Sequence, residues 1–344
     1  MPEASRMEQN TFTPIETIGR KALISKIASR FERHGEGLVF GIGDDAAVLD
    51  TNRQGHPLLS SEIYSEGVDF DLTYTPLQHL GFKTVSMAIS DICAMNGTPE
   101  FILINLSLTN KISVEMVELF YDGVKRACDQ YGVQLAGGDL AAAQSAMSVS
   151  VMVYGSAKQT VYRSGANAGD AICITGDLGG ASCGLMILLR EKLHFDSSEE
   201  TVLDPDLTPF EYVVRRQLVP EARVDCIKSF ETAEIVPTSM SDITKGLSTT
   251  LNEMMVASGT GCKIFEAALP VSPDTRHAAD ELEKDIDTFL LYGGEDAELI
   301  FTLPEEDVKK FSDLFKDFVV VGKVEAKSHG IKMQTAEGHL MTLT

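Results

Sequence analysis

This sequence predicts an α/β fold in two domains, and three observations carry the prediction. The chain has 344 residues, too many for one average domain and enough for two that pack together. Its composition, 44% hydrophobic and 23% charged, is that of an ordinary globular protein. Segments of period 2 alternate with segments of helical period through both halves, with no convincing internal repeat.

Taken in order, the first helix is predicted over residues 17–34, where Leu23, Ile24, Ile27 and Phe31 recur at helical spacing. After the turn HGEG, the stretch LVFGIGDDAAVLD at 38–50 reads as a strand running into an acidic loop. Residues 77–95 carry dense apolar positions at helical spacing, and ILINLSL at 102–108 alternates as a strand. Over 114–129, Met116, Val117, Phe120, Val124, Ala127 and Cys128 share one helix face, while Glu115, Glu118, Lys125 and Arg126 face outward. VQLAGGDL follows as a short strand, and SVSVMVYG at 148–155 alternates with Val149, Val151 and Val153 on one side. The first domain is therefore expected over 15–155 and the second over 156–335. The second opens with the strand AICIT at 171–175, the Gly-rich turn GDLGGAS and an apolar helix at 181–190. The acidic, Pro-containing stretch 195–210 reads as a surface excursion. A helix at 246–257, the strand-like CKIFEAALP and strands near 298–303 and 317–323 complete the unit.

A formal net charge of −22 argues against a nucleic-acid or anionic-membrane surface, because both need Lys and Arg to neutralise phosphates. A phosphorylated ligand on so acidic a chain needs Mg²⁺ held by carboxylates, or a few placed cations. Cys93, Cys128, Cys173, Cys183, Cys226 and Cys262 form no CxxC pair and have no His at zinc-ligand spacing, so buried free thiols are expected. No apolar run reaches the roughly 18–20 residues of a membrane span, and MPEASRMEQN lacks a signal-peptide core. A cytoplasmic location is the expectation.

The residues suited to chemistry are acidic. Gly41-Ile42-Gly43-Asp44-Asp45 places two adjacent carboxylates in a loop, where they need a cation or backbone N–H groups to coexist. Metal binding and a hydrogen-bonded turn both satisfy that need. Asp91, Asp139 and Asp242 each end an apolar element. Singly they suit helix caps or turns, and together they suit a Mg²⁺–nucleotide cleft fed by separate loops. Neither the Gly137-Gly138 pair nor the 176–180 turn matches a P-loop or G-x-G-x-x-G, and no G-x-S-x-G or Cys/His arrangement occurs. Phosphoryl transfer fits this inventory, because it relies on positioning and charge stabilisation rather than on a protein nucleophile.

The ordered motifs GIGDDAAVL, EGVDF, SDICAM, AGGDL, RSGANAGDAICITGDLG, SDITKGL and YGGEDAEL resemble those of the thiamine-monophosphate kinase family, over roughly residues 15–325. That family belongs to the aminoimidazole ribonucleotide synthetase and selenophosphate synthetase superfamily. The resemblance implies a two-domain fold of the aminoimidazole ribonucleotide synthetase type, its N-terminal sheet dimerising into a barrel and a C-terminal α/β domain closing over ATP. It implies ATP- and Mg-dependent phosphorylation of thiamine monophosphate to thiamine diphosphate by a homodimer. By the same resemblance Asp45, Asp91, Asp139 and Asp242, with Glu62, match the metal ligands, and Ser60, Ser61, Tyr121, Gly138, Arg163 and Thr244 match nucleotide contacts. Asp69 and Glu295 match substrate contacts, and Asp45, Asp139 and Lys245 stand at catalytic positions.

The chain departs from the family at the site. Ser60-Ser61-Glu62 stands for Ser/Thr-Thr-Asp, Asp69 for a His, Lys245 for a metal carboxylate and Ala297 for a Tyr, and HLMTLT lacks the terminal aromatic. Asp69, Ala297 and the missing aromatic are expected where the substrate's base is recognised.

Overall fold

In the computed structural model of the chain, which describes residues 12–32, 35–40, 48–50, 55–198 and 205–343, the helix expected over 17–34 is two short ones. Gly19, at φ 75°, separates α1 (Ile15–Ile18) from α2 (Arg20–Ala28). β1 (Leu38–Phe40) and β2 (Val48–Leu49) pair antiparallel, and the loop with Asp45 lies outside the described residues. β3 (His56–Ser65), α3 (Leu77–Cys93), β4 (Thr98–Leu108), α4 (Val114–Tyr131), β5 (Gln134–Ala142) and β6 (Ser148–Ala157) follow. Among the described residues, four of these strands make a sheet in the order β3-β6-β4-β5, antiparallel except between β4 and β5.

Strand alternation gives this sheet two unlike faces. Leu58, Tyr64, Ile102, Ile104, Val149, Val151 and Val153 are buried with α3, whereas Leu59 and Ile63 of β3 are 66% and 67% exposed. α3 is apolar nearly all round and buried along most of its length, as befits a central helix. α4 is amphipathic, capped by the Ser113 hydroxyl, which accepts from the Met116 N–H at 3.2 Å. The two helices meet at glycines. A Cβ on Gly81 would lie 2.0 Å from the Phe120 carbonyl oxygen, and one on Gly123 would lie 1.8 Å from that of Gln78.

The second unit begins with β7 (Ala171–Thr175), α5 (Gly180–Asp196), α6 (Glu211–Leu218), α7 (Val224–Ala233), β8 (Ser239–Asp242) and α8 (Leu247–Ser258). It continues through β9 (Gly261–Phe265), α9 (Pro273–Glu281), α10 (Ile286–Tyr292), β10 (Leu299–Leu303), α11 (Glu305–Leu314), β11 (Phe318–Glu325), β12 (Ile331–Gln334) and β13 (Leu340–Thr342). Among the described residues seven strands form its sheet, β13-β12-β9-β11-β7-β10-β8, with one parallel pair, β12–β9. One face packs Ile172, Ile174 and Ile300 against Leu247, Leu251 and Met254 of α8. The other packs Phe301 edge-on against Phe230 of α7 and Phe311 of α11, whose rings stack 4.1 Å apart.

The architecture is therefore the α/β two-unit arrangement read from the sequence, built on two mixed sheets. CKIFEAALP is a strand only to Phe265 and then a short 3-10 turn. Phe195 and Asp196 prolong α5, and the described end of the 195–210 excursion is a 3-10 turn, Thr208–Phe210. All six cysteines are free and buried. Among the described residues no helix is long and apolar enough to cross a membrane.

Candidate functional site

Three elements from the two units, packed against one another, bring acidic side chains close together. β3 turns Ser60, Glu62 and Tyr64 to the same face as Leu58, α3 carries Asp91 near its C-terminal end, and β8 ends at Asp242. The Ser60 hydroxyl donates to Asp91 Oδ2. Burial first, then the Asp91 charge, a hydrogen bond shared with Asp91 and the Asp242 charge push the Glu62 carboxyl up to about 7, with Lys245 opposing the rise. Burial and the Asp91 charge push Asp242 up to about 6, against the pull of Arg163 and a hydrogen bond from Thr244. Asp242 Oδ2 is buried and has no hydrogen-bond partner among the described residues.

These groups are oxygen donors only, and one carboxyl oxygen is left unsatisfied in a place shielded from water. That suits a hard divalent cation such as Mg²⁺. Among the described residues no three His, Cys, Asp or Glu side chains already stand as a coordination set. Arg163 flanks the site, its Nε donating to Ser241 Oγ at 3.1 Å and its guanidinium 3.4 Å from Glu253.

The loop after β8 is tied to the loop after α10. The Glu295 N–H donates to the Thr244 carbonyl at 3.1 Å, and Gly294 packs so close that a Cβ there would lie 2.5 Å from the same oxygen. Glu295 has φ 66°, a conformation that non-glycine residues adopt rarely and mostly at constrained sites. Its Oε2 accepts from Lys83 Nζ at 2.7 Å and from Gln217 Nε2 at 3.1 Å. Burial first, then the charges of Glu62, Glu295, Asp91 and Asp69 push the Tyr64 phenol well above its ordinary value. The Asp69 carboxylate accepts the Ser65 N–H at 2.7 Å and so closes its own turn.

The remaining expected residues fall elsewhere. Tyr121, Gly138 and Asp139 line a separate cavity of about 40 Å³ beside Ile24 and Ile27 of α2. Asp139 is paired with Arg20, and burial pushes the Tyr121 phenol upward. Asp139 lies across the sheet from β3, by way of Asn105, Ser150 and Ile63, roughly 14 Å at three strand spacings. Ser61 is exposed on the sheet face opposite Ser60 and Glu62. Ala297, expected at a base-recognition position, is 0% exposed and packs in the core with Leu299 and Phe301, at φ 58°.

The Gly-rich turn before α5 gives two of its N–H groups to a protein carboxylate. Asp296 accepts from Gly179 at 2.8 Å and from Ala181 at 3.0 Å, so a buried carboxylate already sits at that helix start. Behind it, Glu298 joins Arg216 at 3.0 Å, Arg223 at 2.9 Å and the Thr175 hydroxyl at 2.6 Å. Sequence patterns did not single out Tyr64, Lys83 or Gln217. The available signal was a lone Lys inside the apolar run of α3, since Lys is seldom buried without a partner.

Matches to known proteins cover most of the chain. Residues 43–157 match the family model "AIR synthase related protein, N-terminal domain", and residues 167–333 match "AIR synthase related protein, C-terminal domain". A thiamine-monophosphate kinase of Aquifex aeolicus is 34% identical over 83% of this chain and 86% of its own length. That of Bacillus subtilis is 31% identical over 83% of each. The solved structure of AaThiL complexed with AMPPCP and TMP is similar with a TM-score of 0.71, at 28% identity and covering 97% of both chains.

Proposed function

This chain belongs to the thiamine-monophosphate kinase family, and from that premise we propose that it transfers the terminal phosphoryl group of ATP to the phosphate of thiamine monophosphate, forming thiamine diphosphate. The observation that carries the reading is that Asp91, which accepts from Ser60 and lies against Glu62, sits on a helix packed against β8 of the other unit, where Asp242 ends the strand with its buried Oδ2 lacking a partner among the described residues. Relatives bearing that activity and a similar structure holding AMPPCP and TMP support it.

Glu62, Asp91 and Asp242 would hold Mg²⁺, which when bound supplies neutralising charge for a transferring phosphoryl group. Ser60 orients Asp91, and Thr244 orients Asp242. The exposed Lys245 places an ammonium beside Glu62, where it can bind a phosphate oxygen directly. Arg163 is proposed for the nucleotide next to these carboxylates; Ser61, on the opposite sheet face, and Tyr121, Gly138 and Asp139, at the α2 cavity, are proposed for a part of it that lies away from Glu62 within one protomer, with Asp45 as a further carboxylate and Asp69 and Glu295 for the acceptor. A monophosphate ester has a second pKa of about 6, so the acceptor arrives ionised and needs no protein base.

We place the first domain at 15–155 and the second at 156–335, and the reaction in the cytoplasm, a location consistent with six free thiols. A homodimer is proposed through the outer face of the first sheet, where Leu59 and Ile63 are exposed beside the part that Leu38 covers.

Titrating thiamine monophosphate calorimetrically into the protein with Mg²⁺ and a non-hydrolysable ATP analogue tests the reading. Saturable binding that requires the analogue is expected; absence of binding contradicts the acceptor assignment.

A further inference from the structure

We propose that Lys83 and Gln217 are positioning residues that fix the Glu295 carboxylate toward the acceptor, a role that rests on the reading above that Glu295 lies at the acceptor end. The two donors come from different units, Lys83 from α3 and Gln217 from α6. Both address the same oxygen, Oε2, at 2.7 and 3.1 Å. Among the described residues Oε1 takes no hydrogen bond, and about a third of the side chain stays open. A carboxylate held by one oxygen from two directions has one orientation, and its second oxygen is left for a ligand.

Neither donor is placed to touch the acceptor itself. The Lys83 side chain is 4% exposed, and Glu295 is its one ion-pair partner among the described residues. A buried ammonium without its carboxylate is strongly unfavourable, so α3 and the 292–297 loop hold one another. Gln217 is also buried, yet its Oε1 has no partner among the described residues. Its amide is satisfied only where it meets Glu295. The loop supplies the third restraint through the left-handed backbone of Glu295 and its N–H bond to Thr244.

The experiment is steady-state kinetics of the full chain with ATP, Mg²⁺ and thiamine monophosphate, for Gln217→Leu, Lys83→Met, Glu295→Gln and the charge-balanced double variant Lys83→Met/Glu295→Gln. Loss of a hydrogen bond to a charged group should raise the acceptor KM about tenfold in Gln217→Leu, with kcat and the ATP KM within about threefold. Lys83→Met should do the same or fail to fold; in the second case the double variant should fold with an acceptor KM no higher than that of Glu295→Gln alone, because Lys83 acts through that carboxylate, and a further rise contradicts the inference. A merely structural role predicts lowered kcat or folded fraction with the acceptor KM unchanged. An unchanged acceptor KM in Gln217→Leu and in the folded Lys83 variant overturns the inference alone. A wild-type chain that does not phosphorylate thiamine monophosphate overturns the acceptor reading, and the inference with it.

Discussion

Glu62 is where the charges of the site conflict most, since burial and two neighbouring carboxylates oppose its ionisation. A carboxyl raised to about 7 stabilises the fold fully below its unfolded value, near 4.5, and that contribution fades as pH rises through about 7. Asp242, raised to about 6, acts in the same direction. The metal-free protein should therefore lose part of its stability between about pH 5 and 8, and Mg²⁺ should restore it. Protons and metal compete for Glu62, so the Mg²⁺ dissociation constant should fall about tenfold from pH 6 to pH 8, and Glu62→Gln should flatten that dependence. Calorimetric titration at the two pH values checks both; an affinity that falls as pH rises contradicts the assignment. Lys245 adds the other sign to the same spot. Lys245→Asp changes the local charge by two and should raise phosphoryl transfer and its Mg²⁺ dependence at least about tenfold, or about 1.4 kcal/mol of barrier, because an ammonium cannot bridge donor and acceptor oxygens as a metal does. If wild type turns over at an ordinary kinase rate and the variant is slower, Lys245 is a working cation and this account of it is wrong.

Elements explain which parts of the site the sequence could reveal. α3, α4 and β7 announce themselves because burial and periodicity agree in them. β3 and β8 do not, although they carry Glu62 and Asp242. The inward side of β3 carries Ser60 and Glu62 between Leu58 and Tyr64, and β8 reads Ser-Met-Ser-Asp while being wholly buried. Polar residues placed for chemistry erase the hydrophobic pattern that would mark the strand. Asp91 and Asp242 were legible as acids ending apolar elements, whereas Glu62 emerged only through the family resemblance and Lys83 only through its contact with Glu295. Short helices such as α6, α9 and α10 escaped as well, because burial in tertiary contacts, rather than a long amphipathic repeat, sustains them. The α3–α4 crossing gives this scale its own prediction. Gly81→Ala or Gly123→Ala drives a methyl into backbone and should cost about 1–3 kcal/mol or more, lowering activity with stability because α3 carries Lys83 and Asp91. Thermal unfolding of each variant checks it, and an unchanged melting temperature contradicts the close packing.

At the scale of the whole molecule, a chain of net charge −22 has to gather a polyphosphate. Nucleotide binding should therefore depend on Mg²⁺, and saturation at about 100 times the dissociation constant should add roughly 2.7 kcal/mol to stability. ATP with Mg²⁺ that leaves the melting temperature unmoved counts against the site. The outer sheet face should make Leu59→Asp or Ile63→Asp shift a dimer toward monomer in sedimentation; a wild-type chain that is monomeric at micromolar concentration removes the dimer from the account. Glu62 and Asp91 belong to one unit, Asp242 and Glu295 to the other. The direct measurement is ³¹P NMR of purified protein with ATP, Mg²⁺ and thiamine monophosphate: the account predicts the resonances of thiamine diphosphate growing in step with ADP, and ADP with inorganic phosphate alone, or no change, contradicts it.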